Sequence, residues 1–390
     1  MCLRRLTRYV ALACLSLACR GPSDASGGGG KSGGGGGTTS GSSAGSGGVG
    51  GTTSAMSGTG AGGANAGGNV GGSGGLAVGP PSCQAGGPGQ SDCGPDRESC
   101  CTSVRVPGGT FYRTYTNDGT GAKDTSDAAT LSDYRLDKYL VTVGRYRRFV
   151  AAWDGGSGYT PPIGSGKHAH LNGGKGLADS GSPGDYETGW SASDGNNLAP
   201  NNDNLDCQSG AATWTSDPGS HENLPVNCVN WWEAYAFCIW DGGFLPSEAE
   251  FVYAAAGGNE QRRYPWGAED PAADNLHAIY DCNYPDGVSG TCDKTVDHIA
   301  PVGTAAPGAG RWGQLDLVGN LMEWYLDWFA PAYGNPCTDC ADLTKSSGRA
   351  LRDGYFASTD ATLLLAPYRN NGFYPSNRFY SFGFRCAREP

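Results

Sequence analysis

The chain has 390 residues, with 27 Lys and Arg against 38 Asp and Glu, a formal net charge of −11, and no cationic cluster beyond its first few residues. A phosphate backbone would be repelled by such a surface, which excludes nucleic acid as a partner. Glycine (67 residues) and aromatic side chains (10%) are both abundant, a combination suited to a rigid extracellular module built largely of loops.

Arg4, Arg5 and Arg8 precede an apolar run, Tyr9 to Ala18, that is too short to span a bilayer and reads as a secretory signal. It ends in Leu15-Ser16-Leu17-Ala18-Cys19, where small residues before a cysteine resemble a bacterial lipobox. Residues 1–19 are therefore expected to be a lipoprotein signal and Cys19 the lipidated residue. The protein would then be exported and anchored to the bacterial cell envelope, touching the membrane only through its lipid. The leucine stands one place further from the cysteine than that motif has it, and Ala11-Leu12-Ala13-Cys14 competes less well. An ordinary cleaved signal, giving a secreted protein, is the alternative.

Residues 20–82 are almost entirely Gly, Ser, Thr and Ala. They offer no apolar surface to offset the entropy lost on ordering, so they are expected to form a flexible tether reaching roughly 40 Å. Twelve cysteines follow, from Cys83 to Cys386, an even number that reads as a disulfide set made in an oxidising compartment. Local spacing pairs Cys282 with Cys292. Cys337-x-x-Cys340 reads either as a redox or metal half-site or, preferred here, as a structural disulfide. Residues 83–103, with four cysteines among Gly and Pro, look like a small stapled collar before a domain over residues 104–390.

Val104 to Phe111 reads as a strand and turn. A helix is predicted from Val143 to Trp153, capped by Thr142, with Tyr146, Phe149, Val150 and Trp153 on one face. A second begins at Asn230 with Glu233 completing a capping box and ends at Gly242-Gly243, and a third begins at Ser247 with Glu250 and stops at Gly257-Gly258. Gly155 to Asn223 shows little periodicity. Within it, His168-x-His170 reads as a solvated loop in preference to a metal half-site. Further on, Asp316 and Glu323 flank a Gly319-Asn320 pair. A tight turn between two carboxylates is what a Ca²⁺ loop needs, and it is equally a turn with solvated acids ahead of a Trp-rich core segment.

Six ordered segments resemble the formylglycine-generating enzyme family, also called sulfatase-modifying factors. They are LDKYLVTVGRYRRFV from Leu136, LPVNCVNWWEAYAFCIWDGGFLPSEAEFVYAAAGG from Leu224, YPWG from Tyr264, GNLMEWYLDW from Gly319, RALRDGYF from Arg349, and GFRCAR from Gly383. The resemblance runs from Val104 to Arg388. It implies an α+β, C-type-lectin-like fold with sparse secondary structure and long ordered loops. It also implies a disulfide between Cys238 and Cys386, and a structural Ca²⁺ held by the carboxylates of Asp316 and Glu323 with the carbonyls of Gly319 and Leu321. A second calcium site would map onto Asn275 and the carbonyl of Leu276, with Asp293 contributing.

The family's enzymes use two cysteines to bind copper, activate oxygen and convert a substrate cysteine to formylglycine. Thiolates are the soft ligands Cu(I) selects. Here those two positions are Ser358 and Leu363, and no cysteine lies between Cys340 and Cys386. Copper is accordingly not expected and no catalytic residue is assigned. The five histidines form no cluster of the kind that the family's iron-dependent branch requires. Two functions remain. One is a non-catalytic, lipid-anchored module that binds a peptide, a glycan or a cell-surface protein. The other is an oxidase acting on Cys-x-Pro-x-Arg peptides.

Overall fold

The computed structural model describes residues 79–290 and 292–390; the expected signal, Cys19 and residues 20–78 of the expected tether lie outside them. In chain order the elements are β1 (Ser103–Val106), β2 (Gly109–Asn117), β3 (Ala122–Leu131), β4 (Tyr134–Asp137), α1 (Val143–Trp153), β5 (Ala178–Asp179), α2 (Asn202–Leu205), α3 (Trp231–Trp240), α4 (Glu248–Ala255), β6 (Met322–Trp328), β7 (Cys337–Thr338), β8 (Cys340–Ala341), β9 (Arg349–Arg352), β10 (Gly372–Phe373), β11 (Phe382–Gly383) and β12 (Ala387–Arg388). Long loops with isolated 3-10 turns separate them, so the class is α+β with sparse regular structure.

The three longer helices start at their predicted caps. The Thr142 side chain accepts from the Arg145 amide at 3.2 Å, and Asn230 with Glu233 and Ser247 with Glu250 each close a reciprocal box. Tyr146 and Phe149 of α1 lie against Phe237 of α3, with Tyr146 stacked on it at 5.7 Å. The central sheet has the order β10-β9-β6-β11. Its strand β6 runs antiparallel to β9, pairing Glu323 with Arg352 and Trp328 with Arg349, and parallel to β11. Residues Met322 to Asp327 are buried without interruption, which is why this strand shows no alternation in sequence. The chain's end returns as β12 beside β4, in the sheet β1-β4-β12.

Six disulfides join all twelve cysteines of the described residues: Cys83 with Cys101, Cys93 with Cys100, Cys207 with Cys228, Cys238 with Cys386, Cys282 with Cys292, and Cys337 with Cys340. That many cystines belong to an oxidising compartment. No described helix is long and apolar enough to cross a membrane.

The collar is packed into the domain. A side chain on Gly144 of α1 would strike the Pro88 carbonyl, at 2.4 Å, so only glycine lets helix and collar meet. The neighbouring Arg145 is fully buried and donates to the Ser82 hydroxyl, the Cys100 carbonyl, Asp137 and Asp241. Arg388 reaches the same two aspartates from β12. Burial opposes ionisation of Asp137, yet Arg388 and Arg145 hold its pKa below the ordinary value. Two guanidiniums and two carboxylates thus tie together the collar, β4, α1, the end of α3 and the C-terminal strand.

The loops between α1 and α3 carry their own core residues, Trp190, Leu205 and Trp214, and are stapled by Cys207–Cys228. Here the structure corrects the reading of His168 as a solvated loop residue. Its ring is fully buried, with Nδ1 3.0 Å from Glu187 and Nε2 3.1 Å from Glu250, the same glutamate that caps α4. Burial works against the imidazolium, but Glu250 and Glu187 outweigh it and push the pKa up to about 10.

Two outcomes follow. Arg145→Met leaves Asp137 and Asp241 buried and short of a cation, and is expected to cost about 3–5 kcal/mol in urea unfolding; a loss under about 1 kcal/mol would mean that the network does not secure the collar. The folded pKa of His168 lies above the unfolded value, so its stabilisation is fully present below about pH 6.5 and is lost as pH rises towards 10. Unfolding midpoints between pH 6.5 and 9 should fall for the native domain, and His168→Gln should remove that slope.

Candidate functional site

The loop before β6 is built around three left-handed residues, Asp316, Gly319 and Asn320. The Asn320 side chain brackets Ala300, accepting its amide and donating to its carbonyl, and the Asn320 amide donates to Ile279. These bonds fix the turn that carries Gly319 and Leu321. The Asp316 carboxylate is buried and accepts the Gly303 amide at 2.6 Å. The Glu323 carboxylate is buried too, and Arg385 forks onto both of its oxygens, with Nε at 2.9 and 3.0 Å and Nη2 at 2.8 Å. Burial pushes both pKa values up, and for Glu323 the Asp316 charge adds to that while Arg385 opposes it.

Asn275 and Leu276 lie elsewhere, in an exposed loop. Asn275 donates to the Pro285 carbonyl, Leu276 is 51% exposed, and Asp293 is turned to Thr295 and His298. Among the described residues no three His, Cys, Asp or Glu side chains are grouped as a metal site.

The two positions where the resemblance expects thiols do converge. β9 ends at Arg352, Asp353 takes a left-handed conformation (φ 76°), and the chain then tightens into a turn in which the Ser358 hydroxyl accepts the Tyr355 amide at 2.9 Å. A side chain on Gly354 would meet the Ser358 Oγ at 3.2 Å and the Leu363 Cβ at 3.3 Å, so one point touches both residues. The turn is held from outside: the Phe356 amide donates to Asn320, and Phe356 and Ser358 accept from Cys282 and Asp281. What stands at this point is a hydroxyl and an aliphatic chain, and the Cys337–Cys340 bond leaves that pair no free thiol.

Arg349 stands at the opposite end of β9 and gave no signal in the sequence beyond its place in RALRDGYF. Its guanidinium is sandwiched between the rings of Trp231 and Trp328, at 3.6 and 3.8 Å from their centroids. Nη1 donates to the Leu326 carbonyl, while Nε is cut off from solvent with no acceptor. Burial lowers its pKa to about 9, with Asp194 and Asp327 too weakly placed to restore it. Glu187, the partner of His168, lines the cavity beside this stack.

Residues 90–390 match the sulfatase-modifying factor enzyme 1-like domain. The chain is 29% identical over 313 residues to a formylglycine-generating enzyme of Streptomyces coelicolor, an alignment covering 73% of this chain and 88% of that protein. It is 38% identical over 168 residues to the inactive C-alpha-formylglycine-generating enzyme 2 of Mus musculus, covering 42% and 49% respectively. Among solved structures it resembles PvdO from Pseudomonas aeruginosa, at 24% identity and a TM-score of 0.46, over 78% of this chain and 99% of that one. With its matched region spanning most of the chain, the protein belongs to the sulfatase-modifying factor enzyme 1-like family.

Proposed function

We propose that this domain is a non-catalytic binding module, exported and held to the bacterial envelope by a lipid on Cys19 and the Gly/Ser-rich tether of residues 20–78, the expected tether being shortened at its end because Ser82 is buried against Arg145 and Asp241. The observation that carries this reading is the pairing of Ser358 with Leu363 where a copper-binding thiol pair is expected, while every cysteine of the described residues is locked in a cystine. A serine hydroxyl and a leucine are poor ligands for Cu(I). Relatives named as inactive lie in the same family as relatives named as formylglycine-generating enzymes, and fold alone does not carry activity. The competing reading, an oxidase of Cys-x-Pro-x-Arg peptides, draws on the length of the match to the Streptomyces enzyme.

Calcium belongs to this proposal as a structural ion. Asp316 and Glu323 are two buried carboxylates served by one guanidinium, so their surroundings favour a further positive charge, and oxygen donors suit a hard cation. Asp316 and Glu323 would hold the ion together with the carbonyls of Gly319 and Leu321. Bound only by the folded domain, it would stabilise the loop that Arg385 already clamps.

Titration of the purified domain with Cu(I) against a competing chelator should show no stoichiometric tight site, and aerobic incubation with a Cys-x-Pro-x-Arg peptide should yield no aldehyde. The double variant Ser358→Cys/Leu363→Cys should gain a Cu(I) site. Tight Cu(I) binding with aldehyde formation by the native domain would establish the oxidase instead. For calcium, addition to the chelated domain at a hundredfold excess over Kd should raise the melting midpoint by roughly 5 °C. Asp316→Ala should remove that rise, and a native domain indifferent to calcium would strike the ion from the account.

A further inference from the structure

At the Trp328 end of β6 a cavity of about 440 Å³ opens beside a second of about 680 Å³, and Asp194, Trp328 and Arg349 line both. The first is walled by Trp231, Tyr235 and Trp328, with Glu187 and Arg349 among its polar lining. Two buried atoms of these lining side chains have no partner within the protein. The Arg349 Nε is a donor with no acceptor, and the Glu187 Oε1 is an acceptor with no donor. Both side chains therefore keep unused hydrogen-bonding capacity at the wall of the cavity.

The charges narrow the ligand class. Asp179, Asp185, Glu187 and Asp194 line the first cavity, against Arg349, the His168 imidazolium behind Glu187 and Lys345 in the second chamber, so carboxylates outnumber cations and phosphate, sulfate or a carboxylate would meet net repulsion. A cation would face the desolvated Arg349, which takes part in none of the ion pairs among the described residues. A neutral hydroxyl both donates and accepts, and so suits a lining that sets a guanidinium among carboxylates. Asp194 is meanwhile held in place, its two oxygens accepting from Trp232 and Ser191, and it stands between the chambers as a further acceptor. Aromatic walls suit the C–H faces of a sugar ring. The second chamber continues the theme with Trp232 and the 63% exposed Tyr374.

The geometry points to a binding site for a neutral oligosaccharide across these two chambers, with Arg349 donating to and Glu187 accepting from hydroxyls of one ring and Tyr374 packing against the next. The inference rests on the reading of the domain as a binding module and names its ligand. The site lies at the opposite end of β9 from Ser358, so ligand binding here and copper chemistry there are measured separately.

The native domain would be titrated calorimetrically with maltohexaose, xylohexaose, mannohexaose and chitohexaose, with polygalacturonate oligomers and a Cys-x-Pro-x-Arg peptide as charged comparators. At least one neutral hexaose should bind. Arg349→Lys keeps the cation but removes Nε, and should weaken that hexaose about tenfold or more. Tyr374→Ala alters an exposed ring that the fold does not need, and should weaken the same hexaose several-fold with an unchanged melting midpoint. Binding that survives both variants would overturn the inference, as would binding confined to the charged ligands or no saccharide binding at all. A failure of this kind leaves the copper measurement standing, and a positive copper measurement leaves the hexaose titration standing.

Discussion

Arg385 and Glu323 form the contact on which the arrangement of the domain depends. The guanidinium is fully buried, and besides its fork onto Glu323 it donates to the carbonyls of Asp137, Lys138, Leu315 and Asp316. One side chain from the last segment therefore fixes the end of β4, the loop carrying Asp316 and the start of β6. A buried guanidinium is tolerable only when its donors are met and its charge is opposed, and both conditions hold here. The next residue, Cys386, is bonded to Cys238 of α3, so the same short stretch ties the C-terminus covalently to the helical layer. With so little regular structure, it is side chains reaching across the chain to backbone carbonyls that set where the loops run.

The parts of this fold that were legible in sequence are those decided by neighbours in the chain. Thr142, Asn230 with Glu233, and Ser247 with Glu250 mark helix starts because a cap is a contact within three residues. β6 was legible as core through its tryptophans but not as a strand, because a segment buried on both faces has no period of two. The family resemblance supplied the topology, which short strands of two to four residues could not have given. The stretch from Gly155 to Asn223 looked unstructured because its order comes from distant partners: Arg147 donating to Glu222 and Thr215, Trp214 to Asn202, and the Cys207–Cys228 bond.

The candidate sites divide along the same line. Asp316 and Glu323 flank the Gly319-Asn320 turn, so their pairing could be read from spacing; the carbonyls of Gly319 and Leu321 came from the resemblance alone, and the Arg385 fork on Glu323 from neither. Ser358 and Leu363 were placed by the motif before them, and Gly354 brings them to one point. His168 and Arg349 carried no local signal. The partners of His168 lie 19 and 82 residues away, and the two rings around Arg349 come from α3 and β6. A lone His in a glycine-rich loop looks solvated until Glu187 and Glu250 are brought to both of its nitrogens.

The pairing of β6 with β9 gives this division a spatial form. Glu323 faces Arg352 at one end and Trp328 faces Arg349 at the other, five residues or roughly 17 Å along the strand. Beyond the first end the chain turns into Ser358 and Leu363; at the second it forms the aromatic chambers. A serine rather than a thiol after β9 touches no strand bond and no residue of the Trp–Arg–Trp stack, so the shape at one end does not depend on the chemistry at the other. Arg385 clamps the Glu323 end of this strand pair, and Cys386 ties the same segment to α3, so the register is fixed from the Glu323 end. The cleft at the Trp328 end therefore keeps its shape through the strand pairing and the Trp–Arg–Trp stack, while the Arg385 clamp holds the Glu323 end.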